Sequence, residues 1–177
     1  KTDPHMIRFF MAATAPLVER NLAHLDRATG VVLVYISTTR ALANDLVRRL
    51  EPVFDRLGLS IGVRHSERDD LSRAKVPSVL VTTPESLDVL LSKGDERLRH
   101  VRGVVLDEVH LLANTQRGMQ LAILVHRLEL WIERDLQVVG LSATIAEPLA
   151  VWEFFRPGHG VEVVDDTADG RRLISKV

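Results

Sequence analysis

The sequence predicts an α/β domain of three layers, in which a mainly parallel sheet lies between helices. Three observations predict it. Short continuous runs rich in Val, Ile and Leu, such as Val31 to Ile36 and Val101 to Leu106, mark strands buried on both faces. Segments with apolar residues at helical spacing separate these runs, and that alternation favours a parallel sheet covered on both sides. The polar clusters Ser37-Thr38-Thr39-Arg40, Thr82-Thr83, Asp107-Glu108 and Ser142-Ala143-Thr144 all follow predicted strand ends. In such sheets the ligand sits beyond the carboxyl ends of the strands.

Taken in order, Val31 to Ile36 is the first strand. Leu42, Leu46, Leu50, Val53, Phe54 and Leu57 then recur at helical spacing, and Gly58 supplies a stop. Ile61 to Arg64 reads as a short strand and Val79 to Thr82 as another. Thr83-Pro84-Glu85 supplies an N-cap, a proline at the first helical position and a first-turn acid, which starts a helix through Leu91. Val101 to Leu106 is a strand ending in Asp107-Glu108, and Gln116 to Arg134 is a long helix. Leu136 to Leu141 is a strand, and Glu147 to Phe155 is a helix with Pro148 near its start and Pro157-Gly158 as its stop. Val161 to Val164 is the last strand, and the polar stretch Asp165 to Gly170 marks the domain edge.

The bulk properties narrow the function. A chain of 177 residues suits one domain with a real core, here spanning 1–177. Its 46% hydrophobic and 27% charged residues have the balance of a globular protein. The formal net charge of −1 gives no global attraction to nucleic acid, so such contacts must be local. No cysteine occurs, which excludes disulfides and thiolate metal sites and agrees with a cytoplasmic location. No apolar run approaches the ~18 residues of a membrane span, and no signal peptide is evident, so no membrane partner is expected. Residues 1–11 read as a tag or remnant, with His5-Met6 resembling a cloning junction, or equally as native sequence.

The strongest chemical signal is Val104-Val105-Leu106-Asp107-Glu108-Val109-His110, an apolar strand that carries two adjacent carboxylates to its end. One can hold Mg²⁺, usually through water, and the next can orient or deprotonate an attacking water. A solvated acidic turn is the alternative. Gly140-Leu141-Ser142-Ala143-Thr144 follows the next predicted strand and alone suits a helix-capping turn. A hydrolase nucleophile elbow centred on Ser142 would need a second glycine where Thr144 stands.

Together these motifs resemble those of superfamily 2 helicases. Asp107-Glu108-Val109-His110 matches motif II of the DExH group, and Ser142-Ala143-Thr144 matches motif III. Tyr35 to Leu46 resembles motif Ia of the large-helicase-related, or Lhr-like, branch, and Thr82 to Leu87 resembles motif Ib. Gln116-Arg117-Gly118 with Gln120-Leu121-Ala122 resembles the run that follows motif II in that branch. The similarity spans roughly Ala12 to Val164.

The resemblance implies the first RecA-like motor domain of an enzyme that couples ATP hydrolysis to movement on nucleic acid. Asp107 would bind Mg²⁺-ATP and Glu108 would activate water. His110 would couple the nucleotide site to a partner domain, and Ser142 and Thr144 would link hydrolysis to strand movement. Ser37, Thr38, Arg40, Thr83, Pro84 and Glu85 would hold the sugar-phosphate backbone of DNA or RNA, with the branch favouring DNA. The helix start at Pro84-Glu85-Ser86 offers unpaired N–H groups for a phosphate, Thr83 and Ser37 offer hydroxyls, and Arg40 offers charge.

Motif I should be a glycine-rich loop ending in Gly-Lys-Ser/Thr. Lys1-Thr2 is the only Lys-Thr before motif Ia, and Phe9-Phe10-Met11 precedes the family-like helix of Ala12 to Arg20. Either Lys1 and Thr2 are the loop's remnant at the nucleotide, or the loop is missing; the latter is the reading adopted. The second RecA-like domain is also expected to be absent, which leaves this chain inactive alone. The alternative is a catalytically dead module that serves as a nucleic-acid-binding or assembly scaffold.

The histidines show no metal spacing, and His65, in Arg64-His65-Ser66-Glu67 between motifs Ia and Ib, is expected in a solvated loop, the alternative that the resemblance implies being a loop that approaches nucleic acid. Trp131 and Trp152 read as packing residues rather than base-stacking platforms.

Overall fold

The computed structural model describes residues 30–56, 58–72, 74–142, 147–160, 162–166 and 171–175. One eight-stranded sheet has the order β3-β2-β4-β1-β5-β6-β8-β7. The strands are β1 (Leu33–Ile36), β2 (Ile61–His65), β3 (Arg68–Asp69), β4 (Val79–Thr82), β5 (Gly103–Leu106), β6 (Gln137–Ser142), β7 (Glu162–Asp166) and β8 (Arg171–Ser175). The helices are α1 (Arg40–Arg56), α2 (Pro84–Ser92), α3 (Val109–Leu112), α4 (Gln116–Ile132) and α5 (Pro148–Phe155). The central strands β2, β4, β1, β5 and β6 pair in parallel. The expected three-layer α/β architecture is therefore present.

The side chains of the parallel strands divide between two cores. Val34, Ile36, Leu80, Val104, Leu106 and Val138 face α2, α4 and α5, which contribute Leu87, Leu90, Leu121, Leu128, Trp152 and Phe155 among others. Val32, Tyr35, Val79, Val81, Val105, Val139 and Leu141 face α1, which contributes Leu46, Val47, Leu50 and Phe54. Each fully buried Leu or Val of this kind contributes roughly 1.5–3 kcal/mol of transfer free energy. Burial on both faces explains why the strands read as unbroken apolar runs. Trp152 is buried and its indole N–H donates to the His159 carbonyl at 3.2 Å, while Arg99 stacks 4.0 Å above the Trp131 ring. Both tryptophans are packing residues, as expected.

The final segment differs from its sequence reading. Asp165 and Asp166 lie inside β7, and β8 follows as its antiparallel partner, with Asp165 opposite Arg172 and Asp166 opposite Arg171. β8 also pairs antiparallel with β6. The chain therefore folds back into the sheet where a domain edge was expected. β7 is the edge strand, where charged residues are common, and a paired charge such as Asp165-Asp166 at its end reads as loop.

Candidate functional site

Parallel register sets the site. Ile36 on β1 lies level with Thr82 on β4 and with Leu106 on β5, and Leu106 lies level with Gly140 on β6. Each polar cluster therefore leaves the sheet at one rim. The main chain closes this rim further, since Ser37 N–H donates to the Thr82 carbonyl and Asp107 N–H to the Ile36 carbonyl.

At β5 the chain turns sharply. Asp107 is half-buried, and Glu108 adopts the left-handed conformation at φ 51°, ψ 45° before α3 begins. A non-glycine residue there stores roughly 1–2 kcal/mol of strain. The turn aims Glu108 at α3 and β6, where its Oε2 lies 3.3 Å from His110 Nδ1. His110 Nδ1 is in turn 2.8 Å from Ser142 Oγ. Because Leu106 is level with Gly140, Ser142 stands at the height of residue 108, which is why these groups meet. The Ser142–His110 hydrogen bond runs in the direction that the imidazole tautomer sets. Glu108 Oε2 is buried and has no well-formed hydrogen bond. The half-buried Asp107 carboxylate beyond the end of β5 is a hard oxygen donor of the kind Mg²⁺ takes together with retained waters. Among the described residues no group of three or more His, Asp and Glu could hold a metal by itself.

On the other side of β1 an open cleft of about 780 Å³ runs between the start of α1, the β2–β3 turn and the start of α2. It brings together Thr38, Arg40, Thr83 and Glu85 of the expected backbone contacts. Thr83 is the N-cap of α2, its hydroxyl accepting from Ser86 N–H at 3.4 Å, and Pro84 is buried behind it. Ser37 is 1% exposed and its hydroxyl donates to the Thr39 carbonyl at 3.3 Å, so it shapes the loop. Burial by itself would raise the Glu85 carboxyl; its own backbone N–H, the Thr83 hydroxyl and Arg117 outweigh that and hold it below the usual range.

His65 is not in a solvated loop. It is 5% exposed at the end of β2, with Nδ1 accepting from Glu67 N–H at 3.2 Å and Nε2 at 3.1 Å from Asn44 Oδ1. An accepting Nδ1 leaves the proton on Nε2, which donates to Asn44. Its partner lies on α1, 21 residues away, so no local pattern signals the burial.

The cleft also contains residues outside the expected backbone contacts, among them the stretch Arg64 to Glu67 between motifs Ia and Ib and Arg117 of the run after motif II. Arg64, Ser66, Glu67, Arg68 and Asp69 line it from β2 and β3, and Arg117 reaches it from the first turn of α4. Arg117 ties two regions together. Thr115 caps α4 by accepting from Gly118 N–H at 3.0 Å, while its own hydroxyl donates to the Leu112 carbonyl of α3 at 2.6 Å. A Cβ at Gly118 would sit 2.0 Å from that same carbonyl oxygen. Backbone cannot yield as a flexible side chain can. Gly118→Ala is therefore expected to destabilise by about 1–3 kcal/mol despite alanine's better helix propensity. A urea titration checks this, and unchanged stability would mean that α4 shifts freely from α3.

Lys1, Thr2 and Thr144 lie outside the described residues.

Comparison with known proteins decides the family. The model of the DEAD/DEAH box helicase family matches residues 10–151. The chain belongs to this family. Among its relatives, the Lhr helicase and probable uracil glycosylase of Mycolicibacterium smegmatis is 39% identical over 146 residues, covering 73% of this chain and 10% of that protein. The ATP-dependent helicase Lhr-Core of Sulfolobus acidocaldarius is 38% identical over 151 residues, covering 76% and 17%. A solved structure of Mycobacterium smegmatis Lhr bound to ssDNA and AMP-PNP superposes with a TM-score of 0.66 at 35% identity, over 81% of this chain and 20% of that one. This DEAD/DEAH box helicase domain thus spans roughly a tenth to a sixth of the length of these curated relatives. The expected RecA-like fold and Lhr-like resemblance agree with these matches.

Proposed function

We propose that this domain is the first motor domain of an ATP-dependent helicase or translocase that grips single-stranded nucleic acid, DNA in preference to RNA, by its backbone. The observation that carries the reading is the single rim, with the Asp107-Glu108 turn on one side of β1 and the Arg40–Thr83 cleft on the other.

Asp107 would hold Mg²⁺ through water, and bound Mg²⁺ would neutralise charge on the nucleotide phosphates. Glu108, held by its left-handed turn, orients water or takes its proton. His110 and Ser142 carry a change at that turn into β6 and, through Thr144, toward a second motor domain, which supplies further phosphate contacts. Lys1 and Thr2 belong to this scheme only as a remnant of a phosphate loop. Thr38, Arg40 and the helix start at Thr83-Pro84-Glu85 hold phosphates, favoured by the positive end of the α2 dipole; Ser86 N–H, expected to be unpaired, is instead taken by the Thr83 hydroxyl. No helix among the described residues is long and apolar enough to cross a membrane.

The test is a fluorescence-anisotropy titration of labelled single-stranded oligonucleotides with this chain across a salt series. Binding should be weak and indifferent to sequence. The logarithm of affinity should fall linearly with that of salt, with a slope of about −0.7 per phosphate neutralised. A salt-independent or strongly sequence-selective complex would contradict the reading.

A further inference from the structure

Among the described residues four arginines line the cleft, and each already has a carboxylate partner. They are of two kinds. Arg64 is 16% exposed, lies 3.4 Å from Asp69 and donates to the Ser86 carbonyl. Arg68 is bound at 2.7 Å to Asp70, whose side chain is 6% exposed and also accepts from Val63 N–H at 2.9 Å. Arg64 is thus itself largely buried, and Arg68, though 37% exposed, is anchored on a buried carboxylate. Arg40 and Arg117 differ. Arg40 pairs with Glu67 across the cleft with side-chain exposures of 53% and 65%. Arg117 pairs with Glu85 at 2.9 Å with exposures of 41% and 57%.

Open ion pairs of this sort are worth little, because water screens them and two long side chains must be held still. A backbone phosphate can take a guanidinium bidentately, as a carboxylate can, so it competes for these arginines on equal terms. Both open pairs also stand at helix starts, Arg40 at that of α1 and Glu85 and Arg117 at those of α2 and α4, where N–H groups favour an anion. A phosphate entering the cleft meets two cations whose partners it can displace.

We propose that Arg40 and Arg117 are the phosphate-exchange positions of this cleft, and that Glu67 and Glu85 are internal competitors that occupy them until nucleic acid arrives. The inference rests on the backbone-gripping reading above and adds Arg117 to it. Glu85 becomes a residue whose carboxylate leaves rather than one that contacts a phosphate. The competitors limit the grip and suit a site that must release its strand to move along it.

The experiment uses this chain and a labelled deoxythymidine oligonucleotide. Glu67→Gln and Glu85→Gln keep shape and lose charge, and each should tighten binding about two- to fivefold at moderate salt. Arg40→Ala and Arg117→Ala should weaken it. Asp55→Asn is the control for general charge. Asp55 lies 15 residues along α1 from Arg40, about 22 Å at the helical rise and well beyond a Debye length of about 8 Å. If Glu67→Gln and Glu85→Gln bind no tighter than Asp55→Asn, the exchange proposal is overturned while the cleft reading stands. Oligonucleotide binding by neither parent nor variants overturns the cleft reading itself, and the exchange with it.

Discussion

Replacing Glu108 with Gln is expected to cut ATP hydrolysis by a factor on the order of 10² or more while leaving ATP affinity nearly unchanged. The substitution keeps the size and reach of the side chain. It removes the carboxylate that lies 3.3 Å from His110 Nδ1 and that would receive a proton from water. That interaction develops in the transition state, so the rate carries the loss and binding does not. Asp107→Asn should behave differently, weakening Mg²⁺-dependent nucleotide binding together with turnover. The measurement pairs an ATPase assay with a nucleotide titration on a longer form of the protein that carries a phosphate loop and a second motor domain. If Glu108→Gln turned over at the parent rate, the acid pair would be a structural turn and the assigned mechanism would fail.

The second large effect is on stability. Arg156, at the end of α5, is 4% exposed and reaches Glu129 of α4 at 2.6 Å. Burial alone would raise the Glu129 carboxyl, but its bond to Arg156 and the charge of that guanidinium hold it below the usual range. Glu129→Ala leaves a buried guanidinium without its counter-charge and should cost about 3–5 kcal/mol. Thermal or urea unfolding of the two proteins measures it, and a loss below about 1 kcal/mol would show that water reaches Arg156. The pH dependence has a definite sign. A carboxyl lowered by folding stabilises above its unfolded value near 4.5 and loses that contribution as pH falls through the lower folded value. The pair should therefore hold at neutral pH and fail only in acid, and the Glu129→Ala protein should lack that acid-sensitive component.

Much of this was legible in the sequence, for identifiable reasons. The central strands announced themselves because burial on both faces demands unbroken apolar runs, as in Val79 to Thr82. The start of α2 was readable because Thr83 and Pro84 act through bonds that span only three residues. The acid pair was readable because a strand end is a local feature. What failed was non-local. The burial of His65 depends on Asn44, and the ion pair at Arg156 depends on a helix 27 positions earlier. Arg117 reaches the cleft through the packing of α4 on α3, which the run Gln116-Arg117-Gly118 does not by itself reveal. The β7–β8 hairpin was hidden by the charges that suit an edge strand.

The level strand ends have one more consequence. Strands with one wet face are held in alignment by polarity, because a slip of one residue would bury what should be exposed. β1, β4 and β5 have no such safeguard, since all four residues of each are buried. Sliding β5 by one position would exchange one apolar side chain for another. What resists it is the hydrophilic border, where Asp107 cannot enter the sheet and where the Asp107 N–H holds the Ile36 carbonyl. Asp107, proposed above to hold Mg²⁺, thus also acts as an end stop for the strand beneath it. An apolar replacement at Asp107 would loosen the alignment of the whole rim, and the cleft beyond β1 would feel a change made at the acid pair.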